Sequence, residues 1–157
     1  MTTVVRVFVD TSVLLRFCYP ELDHREPCQA QLRRLLRTGA ELWISDQVIR
    51  EFYVQATHTN TLPRPRTTEA VLNVIESMPE RFTIAESSAA AREQLMGLLR
   101  EYNVRGKLTH DTNILAIMLT HDIDTICSLD SDFERFADRV TIVRPQIEDA
   151  RKDEGPA

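Results

Sequence analysis

Short β-branched runs alternate with amphipathic helical stretches from one end of this sequence to the other. Residues 4–9 (VVRVFV), 42–45, 82–84, 125–129 and 140–143 read as strands. Residues 11–18, 25–37, 46–56, 67–77, 87–102 and 111–120 read as helices. In the second helix Cys28, Leu32, Leu35 and Leu36 recur at helical spacing, and Gly39 follows as a stop. Ser45 or Asp46 can cap the third, whose apolar face carries Val48, Ile49, Phe52 and Ala56. Ser131 and Glu134 have the spacing of a capping box for a further short helix. This alternation predicts an α/β fold, a mostly parallel central sheet with helices on both faces. Right-handed crossovers bring the C-terminal ends of such strands to one edge, where these sheets bind their ligands.

A chain of 157 residues suits one domain, assigned to residues 1–146, with a polar tail over 147–157. Its 43% hydrophobic and 27% charged residues are those of an ordinary globular protein. No apolar run is long enough to cross a bilayer, and the start MTTVVRVFVD does not read as a signal peptide. Cys18, Cys28 and Cys127 are odd in number and scattered, so the expected setting is a reducing cytoplasm. A net charge of −5 argues against coating nucleic acid by bulk electrostatics. It leaves room for a nuclease that commits carboxylates to metal ions and meets phosphates with a few local arginines.

The acidic residues fall where the topology concentrates chemistry. Asp10 follows the first strand, and Asp130 follows the strand at 125–129. Asp111 opens the helix that feeds that strand, and Glu51 lies early in the helix after the second strand. All four map to one sheet edge. Oxygen ligands without Cys or His suit a hard cation, Mg²⁺ or Mn²⁺. Such an ion polarises a phosphoryl oxygen and generates hydroxide for in-line attack. Each residue taken singly has a plainer reading. Asp10 can be polar punctuation after a strand, and Asp111 and Glu51 can be helix N-terminal charges. Asp130 and Asp132 can be turn residues around Ser131.

Arg64 and Arg66, in a loop broken by Pro63 and Pro65, are candidate phosphate contacts or plain solvated residues. His110 beside Asp111 reads as a cap or surface residue rather than a base, and Trp43, Phe52 and Tyr53 as packing.

The stretches VFVDTSVLL, ISDQVIREFYVQA, KLTHDTNILAIML and TICSLDSDF together resemble the PIN domain, and within it the VapC-type toxins of bacterial toxin–antitoxin pairs. The resemblance runs from Val4 to about Pro145. It implies that Asp10, Glu51 and Asp111 are the three core acidic positions, with Asp130 the fourth and Asp132 a neighbouring contributor to the metal. It places Thr11, Ser12 and Ser128 beside the metal and substrate. Thr112-Asn113 departs from the small or apolar pair usual after the third acid, and Asn113 becomes a candidate substrate contact. The implied activity is metal-dependent endoribonuclease cleavage leaving a 5′-phosphate. The implied partners are an RNA substrate, a cognate antitoxin that occupies the cleft, and a second copy in a homodimer. A haloacid-dehalogenase-type phosphatase would need a second Asp two residues after the first, where Ser12 stands. A non-catalytic RNA- or partner-binding scaffold would be expected to have lost acidic positions that this chain keeps.

Overall fold

The computed structural model describes residues 3–147. Five strands, β1 (Arg6–Val9), β2 (Glu41–Ser45), β3 (Thr83–Ala85), β4 (Thr125–Cys127) and β5 (Thr141–Val143), form one sheet in the order β3-β2-β1-β4-β5. Every pairing is parallel. Six helices connect them: α1 (Thr11–Cys18), α2 (Arg25–Arg37), α3 (Asp46–Ala56), α4 (Thr68–Ser77), α5 (Ala89–Glu101) and α6 (Leu108–Thr120). Two 3-10 segments, Met78–Glu80 and Ser131–Phe136, complete the described elements.

Val7, Phe8 and Val9 in central β1 are all buried, so the strand reads as a continuous apolar run rather than an alternating one. The chain leaves β1 in one direction, through α1–α2 to β2 and α3–α4 to β3. It then returns through α5 and α6 to β4, on the other side of β1. Right-handed crossovers therefore put α1–α4 on one face and α5–α6 on the other. α1 packs on α2 and α3, and α5 on α6. The strand order reverses between β1 and β4, and a crevice opens at such a switch point beyond the carboxyl ends of the strands.

Several boundaries differ from the sequence reading. β1 starts at Arg6, because pairing begins at Arg6↔Glu41, and Val4 and Val5 stay exposed. β4 ends at Cys127, since the Ser128 N–H still reaches the Val143 carbonyl but the chain then turns. α6 begins at Leu108, so Asp111 sits within its first turn instead of opening it. The expected capping box at Ser131 is replaced by Asp130, whose carboxylate accepts the Asp132 N–H at 2.9 Å, and the segment is a 3-10 helix. Ser45 caps α3 through the Val48 N–H. Gly39, at φ +83°, ends α2 in the left-handed conformation that glycine adopts without strain. Leu36, expected inward on α2, is exposed. The polar tail expected over 147–157 lies, from residue 148 on, outside the described residues.

Candidate metal centre

Asp10 is the residue at which β1 gives way to α1, and its side chain is only 6% exposed. A carboxylate so placed needs donors, because burial without hydrogen bonds strongly disfavours the ionised form. Ser12 donates to Asp10 Oδ2 at 3.0 Å and Ser128 donates to the same oxygen at 2.8 Å. Both hydroxyls also accept backbone N–H groups from the turn after β4. Leu129 donates to Ser12 Oγ at 3.3 Å, and Asp130 donates to Ser128 Oγ at 2.9 Å. Two serines thus clip the end of β1 to the turn that carries Asp130 and Asp132. Arg144 straps that turn from β5, donating to the Leu129 carbonyl at 3.3 Å and to Glu134 at 2.8 Å.

Asp111, Asp130 and Asp132 bring carboxylate oxygens within 4.8 Å of one another. An octahedral ion with Mg–O distances of about 2.1 Å sets its ligand oxygens roughly 3–4 Å apart, so this spacing suits a shared hard cation. Asp10 and Glu51 border this trio without belonging to it. Asp10 is turned to the two serines, and Glu51 accepts from Thr11 Oγ1 at 2.7 Å and Gln47 Nε2 at 2.8 Å. Burial pushes the Asp111 carboxyl up to about 7, and the negative charges of Asp130, Asp10, Asp132 and Glu51 add to it. Burial raises Asp10 as well, against the hydrogen bonds from Ser128, Ser12 and the Thr11 backbone. Asp111 thus stands within reach of the charges of four other acids, and the trio offers only oxygen ligands. That donor set fits a divalent hard cation, which relieves the repulsion.

The other residues singled out from the sequence are placed less centrally. Thr11, Ser12 and Ser128, expected at the substrate, have their hydroxyls engaged with Glu51 and Asp10. Asn113 donates to Gln47 Oε1 at 2.6 Å, so its amide is tied to the protein's own interior. Arg66 bonds to Glu21 and lies over the Tyr19 ring, 5.3 Å from its centroid. Arg64 is exposed, its carbonyl accepting from Arg66. His110 is exposed, while its carbonyl accepts from Gln47. Phe52 is fully buried and Trp43 and Tyr53 pack against the core. Gln47 was not among the residues the sequence pointed to. The available signal is its place one helical turn before Glu51, where an amide and a carboxylate can meet.

The PIN domain matches residues 7–139, and the chain belongs to this family. No curated protein matches the sequence. Its fold is shared with solved toxin structures. The Mycobacterium tuberculosis VapC20, a sarcin–ricin loop cleaving toxin, aligns with a TM-score of 0.65 at 20% identity, over 88% of this chain and 99% of its own. VapBC2 from Rickettsia felis, bound to a DNA fragment from its promoter, aligns with a TM-score of 0.65 at 14% identity, over 89% and 98%. A toxin–antitoxin complex from Klebsiella pneumoniae aligns at 0.62 and 18% identity, over 89% and 98%.

Proposed function

We propose that this protein is a divalent-metal-dependent endoribonuclease and the toxin of a toxin–antitoxin pair. The observation that carries the reading is the convergence of Asp111, Asp130 and Asp132, bordered by Asp10 and Glu51, at the switch point of a PIN fold. Membership of the PIN family and the fold shared with VapC20 support a nuclease acting on RNA. The shared fold with the Klebsiella complex supports an antitoxin partner. A homodimer and a cytoplasmic setting belong to the same proposal. Among the described residues no helix is long and apolar enough to cross a membrane.

Asp111, Asp130 and Asp132 would hold Mg²⁺ or Mn²⁺ together with Asp10, and Glu51 would complete the site from α3. A bound ion would supply Lewis-acid polarisation of a phosphoryl oxygen and a water of lowered pKa, the chemistry needed for in-line displacement of the 3′-oxygen, which leaves as a 3′-hydroxyl while the phosphate stays on the 5′ side. The protein's part is positional. Ser12 and Ser128 fix Asp10 and the Asp130 turn as one unit, and Thr11 fixes Glu51. Arg64, exposed on the loop after α3, is available to an RNA phosphate, whereas Arg66 is already engaged with Glu21.

Purified protein should cleave a mixed RNA pool with Mg²⁺ or Mn²⁺ and stop when EDTA is added. Cleavage that survives chelation would overturn the metal reading, and no cleavage in either condition would overturn the nuclease reading. Ser128→Ala removes a donor from a nearly buried carboxylate and a clip on the Asp130 turn. Loss of such an outer partner typically costs 10–100-fold in metal affinity or activity, so the Mg²⁺ concentration for half-maximal cleavage should rise about that much. An unchanged Mg²⁺ titration would show that the serine clip does not set the site.

A further inference from the structure

Gln47 is a buried polar residue, 7% exposed, in the first turn of α3. A buried carboxamide is costly unless its donors and acceptor are matched. Here they are. Nε2 donates to Glu51 Oε1 at 2.8 Å and to the His110 carbonyl at 3.0 Å, and Oε1 accepts from Asn113 Nδ2 at 2.6 Å. These partners fix which way the amide faces. Reversed, it would set its oxygen against a carboxylate and a carbonyl at once. The group therefore joins two helices far apart in sequence. One carries Glu51, and the other carries Asp111 immediately after His110.

We propose that Gln47, anchored by Asn113, is a positioning residue that fixes the Glu51 carboxylate of α3 relative to Asp111 of α6, and so sets the geometry in which the site takes its divalent ion. The proposal rests on the metal-centre reading above. Glu51 is gripped on both oxygens, Oε2 by Thr11 and Oε1 by Gln47. Each carboxylate oxygen accepts through two lone pairs, so one on each stays open to a cation. The clamp orients the carboxylate without using it up. Without the amide, Glu51 would keep only the Thr11 bond and could rotate about it under repulsion from the neighbouring acids. Asn113, which breaks the usual residue pattern after the third acid, acquires a structural reason: it supplies the donor that satisfies the Gln47 amide oxygen.

The test is Mn²⁺ binding by titration calorimetry, beside thermal melts in EDTA and Mn²⁺-dependent RNA cleavage, on wild type, Gln47→Met, Asn113→Leu and the double variant. Met keeps length and bulk but donates nothing. Gln47→Met should weaken Mn²⁺ binding about 10–100-fold. The Mn²⁺ needed for half-maximal cleavage should rise in parallel, with the rate at saturating ion recovering most of its value. Asn113→Leu should show the same effect in weaker form, and adding it to Gln47→Met should cost little more, because both act through one amide. Asn113 is only partly buried, so that variant keeps the question decidable if Gln47→Met does not fold. Unchanged Mn²⁺ affinity in folded variants, or fully additive losses, would overturn the positioning role while leaving the metal site standing. Wild type that binds no Mn²⁺ would instead overturn the metal-centre reading, and this inference with it.

Discussion

Asp10→Asn and Asp111→Asn should each reduce RNA cleavage by at least about a hundredfold, since losing merely an outer-shell partner of a metal ligand costs 10–100-fold. Both substitutions preserve shape and remove a charge. At position 10 the Asn carbonyl oxygen can still accept from Ser12 and Ser128, so the clip between β1 and the β4 turn survives. What disappears is a formal negative charge beside a dication, in a site that offers it no nitrogen or sulfur ligand. Glu51→Gln should fall nearly as far, because Thr11 can still donate to its carbonyl oxygen while the Gln47 amide would compete with a second amide. Expression of wild-type protein alone should arrest bacterial growth, and Asp10→Asn should relieve the arrest. The measurement is a single-turnover rate on the same RNA for each variant, with circular dichroism confirming the fold. Near wild-type rates from all three variants would move the chemistry away from this edge of the sheet.

The parts of this site that were readable in sequence are those set by local rules. An Asp that follows a strand is visible wherever the strand is, so Asp10 and Asp130 stand out after the runs at 4–9 and 125–129, although β4 itself ends at Cys127. The α/β class followed from alternating patterns. Other features depend on contacts that no local pattern encodes. The return from β3 across to β4, which creates the switch point, is a choice of partner strand made by the packed sheet. Gln47 lies outside the apolar face of Val48, Ile49, Phe52 and Ala56, and nothing in the local pattern singles it out. It is buried because α6 lies against it, 63 residues further along in the case of His110. For Ser12 and Ser128 it is the resemblance alone that implies a place beside the metal and substrate. Their bonds to Asp10 appear only when the turn after β4 closes on β1. Local pattern alone leaves Asp132 as a turn residue, and only the resemblance adds it to the metal; in the fold, the 3-10 turn that Asp130 caps brings it into the trio with Asp111.

Metal-free protein should melt at a lower temperature at pH 8 than at pH 5.5, and divalent metal should remove or reverse that order. Asp111 is pushed up to about 7 in the folded chain, against 3.8 for an unperturbed carboxyl, and Asp10 is shifted in the same direction. Between these values the native state keeps a proton that the unfolded chain has released. Stability therefore falls as pH rises through roughly 4–7, and the loss is complete above that window. The protein is then holding ionised, mutually repelling carboxylates with nothing between them. A divalent ion that binds only the native state adds roughly 2.7 kcal/mol at a hundred dissociation constants, which for a chain of this size raises Tm by about 5–11 °C. Because the ion needs deprotonated ligands, this gain grows with pH, opposite to the metal-free trend. Asp10→Asn separates the two contributions. In EDTA it should melt at or above wild type by up to a few degrees, most clearly at pH 8, because one repulsive partner is gone; this is the trade between stability and function expected of an active site. With Mg²⁺ or Mn²⁺ in excess the order should close or reverse, since the variant binds the ion poorly. Asp111→Asn should flatten the pH dependence of the EDTA melts. Acids scattered on a surface would behave otherwise, with small effects of either sign and no response to metal. If wild type shows no metal-dependent shift and Asp10→Asn is plainly less stable in EDTA, then Asp10 serves the junction of β1 and α1 rather than an ion.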